Sequence, residues 1–358
     1  MLEYKYSVLL INVLFPQEEL FMKNNMTNVA LIATPLFVPM AEYIAEHLVS
    51  NHISAIVAHI KEEQFADGEV CPEILENVRR KKVYLLSEVE IGRQAENSFK
   101  LLVLMDAIRR ASGGEISVVL PCMPYARQER RKGGKRVPIS AKVLIRHLEI
   151  AGAKGFFVID LHANAIEGFA NEAPIEHLNG RVLLAEHVRS LYPEGFENVI
   201  SLSADTGGVE RNKKFAMRLD PTIRIMSGEK RRGETNKVSE WHLMGNWEHV
   251  NGKDILIHDD IIDTGGTLLF AASRLFDGGA RSVTVVCTHG IFSFKDRSAE
   301  EKFAQSKIKV VVSNTVPRTK AYYETHKNWL SVVSIAPMLA EAIRRDIKGE
   351  SIIEMNDE

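Results

Sequence analysis

The feature that most restricts the fold is a series of short apolar runs, too short to cross a membrane and too continuous to alternate. They are Val29 to Ala33, Val83 to Leu86, Ile116 to Leu120, Phe156 to Ile159, Val199 to Leu202, Ile255 to Ile257, Val283 to Cys287 and Val310 to Val312. Runs of this length suit strands covered on both faces, as in a parallel sheet between two layers of helices. Helical spacing falls between them: after Pro35 and Pro39, Met40, Ile44 and Leu48 recur on one helix face. The pattern predicts an α/β fold of mostly parallel sheets flanked by helices.

Part of the first half recurs in the second at a constant offset. Leu148, Gly152, Ala153, Lys154, Val158 and His162 have counterparts in Leu275, Gly279, Ala280, Arg281, Val285 and His289, with 289 − 162 = 127. Each copy reads as a helix end, a Gly-Ala turn, a buried strand, then a histidine at the strand's C-terminal edge. Ser140 and Thr267 keep the same offset, each expected just before a helix, where a hydroxyl would cap free N–H groups. A chain of 358 residues has room for two cores. The expected division is 27–178 and 179–335, with 336–358 a C-terminal helix and tail packed back on the first domain. Residues 1–26 read as an N-terminal extension, with Met22 or Met26 a candidate start. The apolar stretch Ser7 to Phe15 has Glu3 in its flank and no small-residue cleavage site after it, unlike a signal peptide.

Composition removes several function classes. Lys plus Arg number 45 and Asp plus Glu 47, a net charge of −2, whereas a protein that coats nucleic acid is normally basic. No run approaches the roughly 18 apolar residues of a membrane span. Three distant cysteines, Cys71, Cys122 and Cys287, argue against a disulfide framework or zinc knuckle and fit a reducing cytoplasm. Neither Gly-x-x-x-x-Gly-Lys-[Ser/Thr] nor Gly-x-Gly-x-x-Gly occurs, which counts against P-loop and Rossmann nucleotide sites.

Five stretches carry chemistry. In Ile255 to Thr267 a buried strand delivers Asp259, Asp260 and Asp263 to its C-terminal edge. Thr264, Gly265, Gly266 and Thr267 then form a small-residue loop into a helix, whose N–H groups and dipole make an anion cradle. A tight turn with an acidic rim is the plainer reading, but it does not require three carboxylates beside Thr-Gly-Gly-Thr. In Ser203 to Arg211, again a strand and a Gly-Gly loop, Asp205 can meet a hydroxyl or Mg²⁺ and Arg211 a phosphate. Pro124 to Lys142 crowds six basic residues between Arg127 and Arg136, which in a nearly neutral chain suits a small phosphorylated ligand. Glu229-Lys230-Arg231-Arg232-Gly233 lies in a polar loop, and Asp160-Leu161-His162 ends a strand. A solvated loop and a locally satisfied histidine are the plainer readings of these last two.

Taken together, the stretches resemble ribose-phosphate pyrophosphokinase, the PRPP synthetase family. The resemblance runs from about Val29 to Ile353 and includes Phe65-Ala-Asp-Gly-Glu69, Tyr125-Ala-Arg-Gln128, Pro138 to Lys142, Asp160-Leu-His162, Asp259 to Thr267, Thr288-His-Gly290 and Ala340 to Arg345. It implies two tandem type I phosphoribosyltransferase-like domains, and conversion of ATP and ribose 5-phosphate to AMP and 5-phosphoribosyl 1-pyrophosphate with Mg²⁺. It implies ATP contacts from Phe65, Asp67 and Glu69 of a neighbouring subunit and from Arg127 and Gln128, with Lys230 and Arg232 as catalytic cations. His162 and Asp205 would sit at Mg²⁺; Arg232, Asp259, Asp260, Asp263, Thr264, Gly265, Gly266 and Thr267 would hold ribose 5-phosphate. The resemblance further implies a homo-oligomer, a hexamer built from dimers. The chain departs from the family pattern at Glu129, Glu172 and Glu176, where Asp is usual, and with one extra residue after Gly168. Arg79 and Arg136 match arginines of the family's phosphate/ADP regulatory site, whereas Asn77, Asn164 and the region near Val89 do not. A catalytically poor regulatory subunit and a phosphoribosyltransferase that consumes PRPP remain as alternatives.

Overall fold

All eight apolar runs form strands, because each is buried from both sides. The computed structural model describes residues 28–88, 90–131, 133–232, 238–293 and 298–357; the expected extension 1–26, Val89 and Gly233 lie outside them. The first half comprises β1 (Val29–Ala33), α1 (Val38–Ser50), β2 (Ala55–Ala58), β3 (Ile60–Gln64), β4 (Val70–Ile74), β5 (Lys82–Leu86), α2 (Gln94–Arg110), β6 (Ile116–Leu120), α3 (Ser140–Ala151), β7 (Ala153–Ile159) and β8 (Ile175–Leu178). The second begins α4 (Arg181–Leu191), β9 (Val199–Ser203), α5 (Val209–Leu219), β10 (Arg224–Arg232), β11 (Val238–Met244), β12 (Asp254–Ile262) and α6 (Gly266–Asp277). It continues β13 (Ser282–Gly290), α7 (Ala299–Ala304), β14 (Lys309–Ser313), α8 (Lys320–His326), β15 (Leu330–Val333), α9 (Ala336–Lys348) and α10 (Glu354–Asp357).

These strands make two sheets, of order β2-β1-β5-β6-β7-β8 and β11-β10-β9-β12-β13-β14-β15. Every pairing in the first is parallel. In the second only β10 with β11 is antiparallel. One face of the first sheet packs on Leu104, Met105 and Ile108 of α2 and Leu144, Ile145 and Leu148 of α3. The other packs on Ile44 and Leu48 of α1 together with Leu339 and Ile343 of α9. The second sheet is covered by Ala271, Ala272 and Leu275 of α6 on one side and by Leu184, Val188 and Phe215 of α4 and α5 on the other. This double cover explains why the strands lack alternation.

The repeated Gly-Ala turns have a backbone cause: Gly152 and Gly279 adopt φ of +112° and +90°, a region unfavourable to residues with a Cβ. The capping expected from Ser140 and Thr267 does not occur. Ser140 is already the first helical residue, behind Ile139, and its Oγ donates to Gln128 Oε1 at 2.8 Å. Thr267 is likewise inside α6, and the capping position belongs to Gly265, left-handed at φ +69°. All three cysteines are free. Among the described residues no helix is long and apolar enough to cross a membrane.

The hairpin β3–β4 was not legible as structure. It stands as its own two-stranded sheet, and its first strand, Ile-Lys-Glu-Glu-Gln, is exposed along four of its five residues. With so little apolar surface it produces no hydrophobic period to read.

The chain's last long helix is tied to the first sheet by more than apolar contact. Buried Tyr84 on β5 donates its hydroxyl to Asp346 Oδ2 on α9 at 2.5 Å, and Lys82 Nζ lies 2.9 Å from the same carboxylate. Tyr84→Phe is expected to destabilise the chain by about 1–2 kcal/mol, the scale of a buried hydrogen bond to a charged group. Denaturant unfolding checks this; an unchanged midpoint would place α9 docking on apolar contact alone.

Candidate active site

The two sheets meet at the C-terminal ends of β7 and β13. Asp160, one residue past β7, takes φ of +41°, a conformation uncommon for a residue with a side chain. Its carboxylate accepts from the Gly180 amide (3.2 Å) and from the Thr288 hydroxyl on β13, and its carbonyl accepts from His289 Nε2 (3.1 Å). His289 is buried, with Nδ1 2.9 Å from Thr315 Oγ1. Gly180 must be small here, since an added Cβ would lie 2.7 Å from Asp160 Oδ2 and 3.0 Å from Thr288 Cγ2. One strained residue therefore locks strand ends from both sheets together.

Beside this lock opens a cavity of about 730 Å³ lined from both halves of the chain. The first half supplies Arg127, Glu129, Arg130 and His162; the second supplies Asp205, Arg211, Lys230, Asp259, Asp260 and Asp263 to Thr267. Parallel α/β sheets offer ligand sites at such C-terminal strand edges, where loops and helix N-termini converge. Strand β12 brings Asp259 and Asp260 to the rim, and the chain then turns at Gly265 into α6. An added Cβ at Gly265 would lie 2.6 Å from the Phe303 ring, so the loop is held against a packed aromatic. Asp205 receives the amides of Gly207 (3.0 Å) and Gly208 (3.1 Å), closing the second Gly-Gly loop on itself. Its free side pairs closely with Lys230 Nζ. Lys230 lies on β10 opposite Trp241, whose indole N–H donates to the Ala204 carbonyl at 2.9 Å, so one aromatic fixes both strand and loop.

The charges are arranged in opposed pairs. Arg211 Nη1 lies 3.0 Å from Asp259 Oδ1 and 2.9 Å from Asp260 Oδ1, while Asp260 Oδ2 lies 2.7 Å from His162 Nδ1. Asp260 is thus engaged through both oxygens and only 4% exposed, so Asp259 is the more open of the two. Burial opposes ionisation of both carboxyls, but His162 and Arg211 hold Asp260 well below the usual carboxylate range. Burial and the neighbouring Asp260 charge push Asp259 above the usual carboxylate range. The Asp260 carboxylate also raises the pKa of His162. Across the mouth, Arg127 Nη1 lies 2.7 Å from Asp263 Oδ2; against the effect of burial, hydrogen bonding from Ser293 and then Arg127 lowers that carboxyl's pKa.

Not every residue named from sequence is gathered here. Phe65, Asp67 and Glu69 form the tip of the β3–β4 hairpin, with Phe65 exposed, and do not line this cavity. Gln128 is turned to Ser140. Arg232 ends β10, and its side chain lies outside the described part of the structure. Glu172 lies in the loop 171–173 whose amides bind Glu149, and Glu176 is on β8; neither lines the cavity. Sequence reading gave Arg211 a phosphate and missed its position between two carboxylates, because that bridge depends on how α5 packs against β12.

Among the described residues no group of three His, Cys, Asp or Glu side chains forms a metal cage. Mg²⁺ keeps waters and is usually held by one or two carboxylates together with substrate phosphates. Asp205 opens on the cavity with an oxygen now matched only to Lys230, and His162 keeps Nε2 after Nδ1 is given to Asp260. The residues present therefore fit a phosphate-borne Mg²⁺.

Known proteins resemble the chain over most of its length. A family model described as the N-terminal domain of ribose phosphate pyrophosphokinase matches residues 31–152, and one described as phosphoribosyl synthetase-associated domain matches 242–356. The chain is 38% identical over 328 residues to the ribose-phosphate pyrophosphokinase of Aquifex aeolicus, covering 91% of this chain and 98% of that protein. The corresponding protein of Ralstonia nicotianae is 36% identical over 317 residues, covering 88% and 94%. The chain belongs to the ribose-phosphate pyrophosphokinase family. Its fold matches that of a solved relative, phosphoribosylpyrophosphate synthetase from Mycobacterium smegmatis, with a TM-score of 0.78 at 30% identity, covering 90% and 99% of the two chains. The α/β architecture expected from sequence is thus the architecture of this family.

The raised carboxyl gives a pH test of the site's electrostatics. Asp259 keeps its proton to higher pH in the folded chain than in the unfolded chain, where a carboxyl titrates near about 4. Its stabilising contribution is full below about pH 4 and is lost as pH rises through the raised value of the folded state. Asp259→Asn is expected to match the parent at pH 4 and exceed it in stability at pH 8, measured by denaturant unfolding. An equal difference at both pH values would contradict the shift.

Proposed function

We propose that the chain transfers the β,γ-pyrophosphate of ATP to the 1-hydroxyl of ribose 5-phosphate, giving 5-phosphoribosyl 1-pyrophosphate and AMP. The observation that carries this reading is the shared cavity, in which the Thr264–Thr267 anion loop, the Asp259 carboxylate and the Lys230 cation converge from different elements. The loop amides and the α6 N-terminus suit the 5-phosphate, and Asp259 suits a ribose hydroxyl once ionised. Lys230 and Arg127, each now matched to a carboxylate, suit the transferring pyrophosphate and the remaining phosphate of ATP. Transfer of this kind depends on alignment and charge stabilisation rather than on a covalent protein intermediate. Mg²⁺ held by His162 and Asp205 with the triphosphate would supply charge neutralisation at the bridging oxygens.

The adenine end is assigned to another subunit. Phe65, Asp67 and Glu69 do not line their own chain's cavity, and Phe65 is 51% exposed. A ring presented to solvent on a hairpin tip suits contact with a neighbour's nucleotide, and the proposed assembly is a homo-oligomer, a hexamer built from dimers. The proposed compartment is the cytoplasm, where both substrates are found.

The test is AMP formation by the purified chain with ATP, ribose 5-phosphate and Mg²⁺, omitting each in turn. The expected outcome is AMP in step with PRPP only when all three are present. Lys230→Ala should lower turnover about 10²-fold, the scale for losing one preorganised donor to a developing charge. Absence of AMP from the folded wild-type oligomer would overturn the reading in favour of a regulatory subunit.

A further inference from the structure

His258 is a buried histidine of the second sheet that neither the reaction nor the Asp160 lock uses. It precedes Asp259 on β12, is 1% exposed, and neither ring nitrogen has a hydrogen-bond partner. Burial, with Arg211 and Arg181 nearby, pushes its pKa down to about 3, so the ring is neutral. It lies flat on Phe215 of α5, with centroids 4.3 Å apart and planes 9° from parallel. A buried ring with two unmet polar atoms costs stability that an apolar side chain of similar shape would not. Such a residue beside a reactive site calls for a local reason.

The geometry supplies one. His258 and Asp260 are two apart on a strand and share a face; Arg211 and Phe215 are four apart on a helix and share a face. The strand step is about 6.6 Å and the helix step about 6 Å. The His258–Phe215 stack and the Asp260–Arg211 contact are therefore two neighbouring rungs between the same two elements, β12 and α5. The outer rung faces the cavity and the inner rung is sealed in the core.

We propose that His258 is a positioning residue: its ring, stacked flat on Phe215, sets the spacing of α5 from β12 and so fixes where Arg211 holds Asp259 and Asp260. The flat ring is the needed property, because a branched aliphatic side chain is thicker than an aromatic face and would lift α5. This inference rests on reading Asp259 as a ribose-phosphate contact. It predicts a larger effect on that ligand than on MgATP, which Asp260 reaches only through His162.

The test is calorimetric binding of ribose 5-phosphate and, separately, of MgATP by the full chain carrying His258→Leu, His258→Phe or Phe215→Leu. His258→Leu and Phe215→Leu are expected to weaken ribose 5-phosphate binding about fivefold or more and to change MgATP binding less than about twofold. His258→Phe, which keeps a flat ring, should restore ribose 5-phosphate binding to within about twofold of the parent. The melting temperature of His258→Leu should not fall, since two unpartnered buried atoms are removed. Unchanged ribose 5-phosphate binding in the leucine variants overturns the inference, as does a phenylalanine variant no better than leucine. Equal weakening of both ligands with a lowered melting temperature also overturns it, marking an ordinary core residue. A wild-type chain that binds ribose 5-phosphate but forms no AMP would remove the proposed activity and leave the inference standing; one that binds no ribose 5-phosphate would remove both.

Discussion

The site depends first on the lock at Asp160. Two parallel sheets, each with its own helical cover, have no inherent reason to keep a fixed relation at their strand ends. Asp160 supplies one through its carboxylate and carbonyl, which take the Gly180 amide, the Thr288 hydroxyl and the His289 ring. Its φ of +41° is the strain that this arrangement holds in place. Two residues further on, His162 reaches Asp260 of the second sheet. The lock and one wall of the candidate cavity are therefore consecutive parts of one chain segment. Disturbing Asp160 would change the distance between the groups proposed to meet ATP and those proposed to meet ribose 5-phosphate.

Within the cavity the dominant physical pattern is charge held against charge. Lys230 faces Asp205, Arg127 faces Asp263, and Arg211 faces Asp259 and Asp260. Each cation is stabilised where a phosphate can replace its carboxylate partner, and each carboxylate where a hydroxyl or Mg²⁺ can replace its cation. Such pairs keep highly charged groups in a partly buried cleft without leaving them unpartnered. Arg127 and Asp263 join the two halves, so ligands that engage both would act across the same boundary that Asp160 fixes.

The sequence carried the parts of the fold that bury apolar surface, because strands covered on both faces lose their polar alternates. It carried the loop at Gly265 for a related reason: a backbone at φ +69° against Phe303 permits little else. The hairpin at Phe65 was not read, because its first strand is polar and exposed along four of its five residues, and Glu229 to Arg232, expected in a loop, end strand β10. Capping by Ser140 and Thr267 was wrongly expected because a hydroxyl near a helix start fits equally one residue inside the helix. The candidate residues themselves were visible as types: Asp259, Asp260, Asp263, Lys230, Asp205 and His162 all line the cavity. Their pairing was not visible. That Asp260 serves His162 and Arg211 at once, and that Trp241 holds both the Asp205 loop and β10, depends on packing between elements far apart in sequence.

The central claim is that one cavity, built across the sheet junction, receives both substrates. A crystal structure of the chain with ribose 5-phosphate, a non-hydrolysable ATP analogue and Mg²⁺ tests it most directly. The account expects the 5-phosphate on the Thr264–Thr267 amides and the triphosphate between His162, Lys230 and Arg127, with the Arg127–Asp263 pair opened. Both ligands bound along a single sheet, with that pair and the Lys230–Asp205 pair intact, would contradict it.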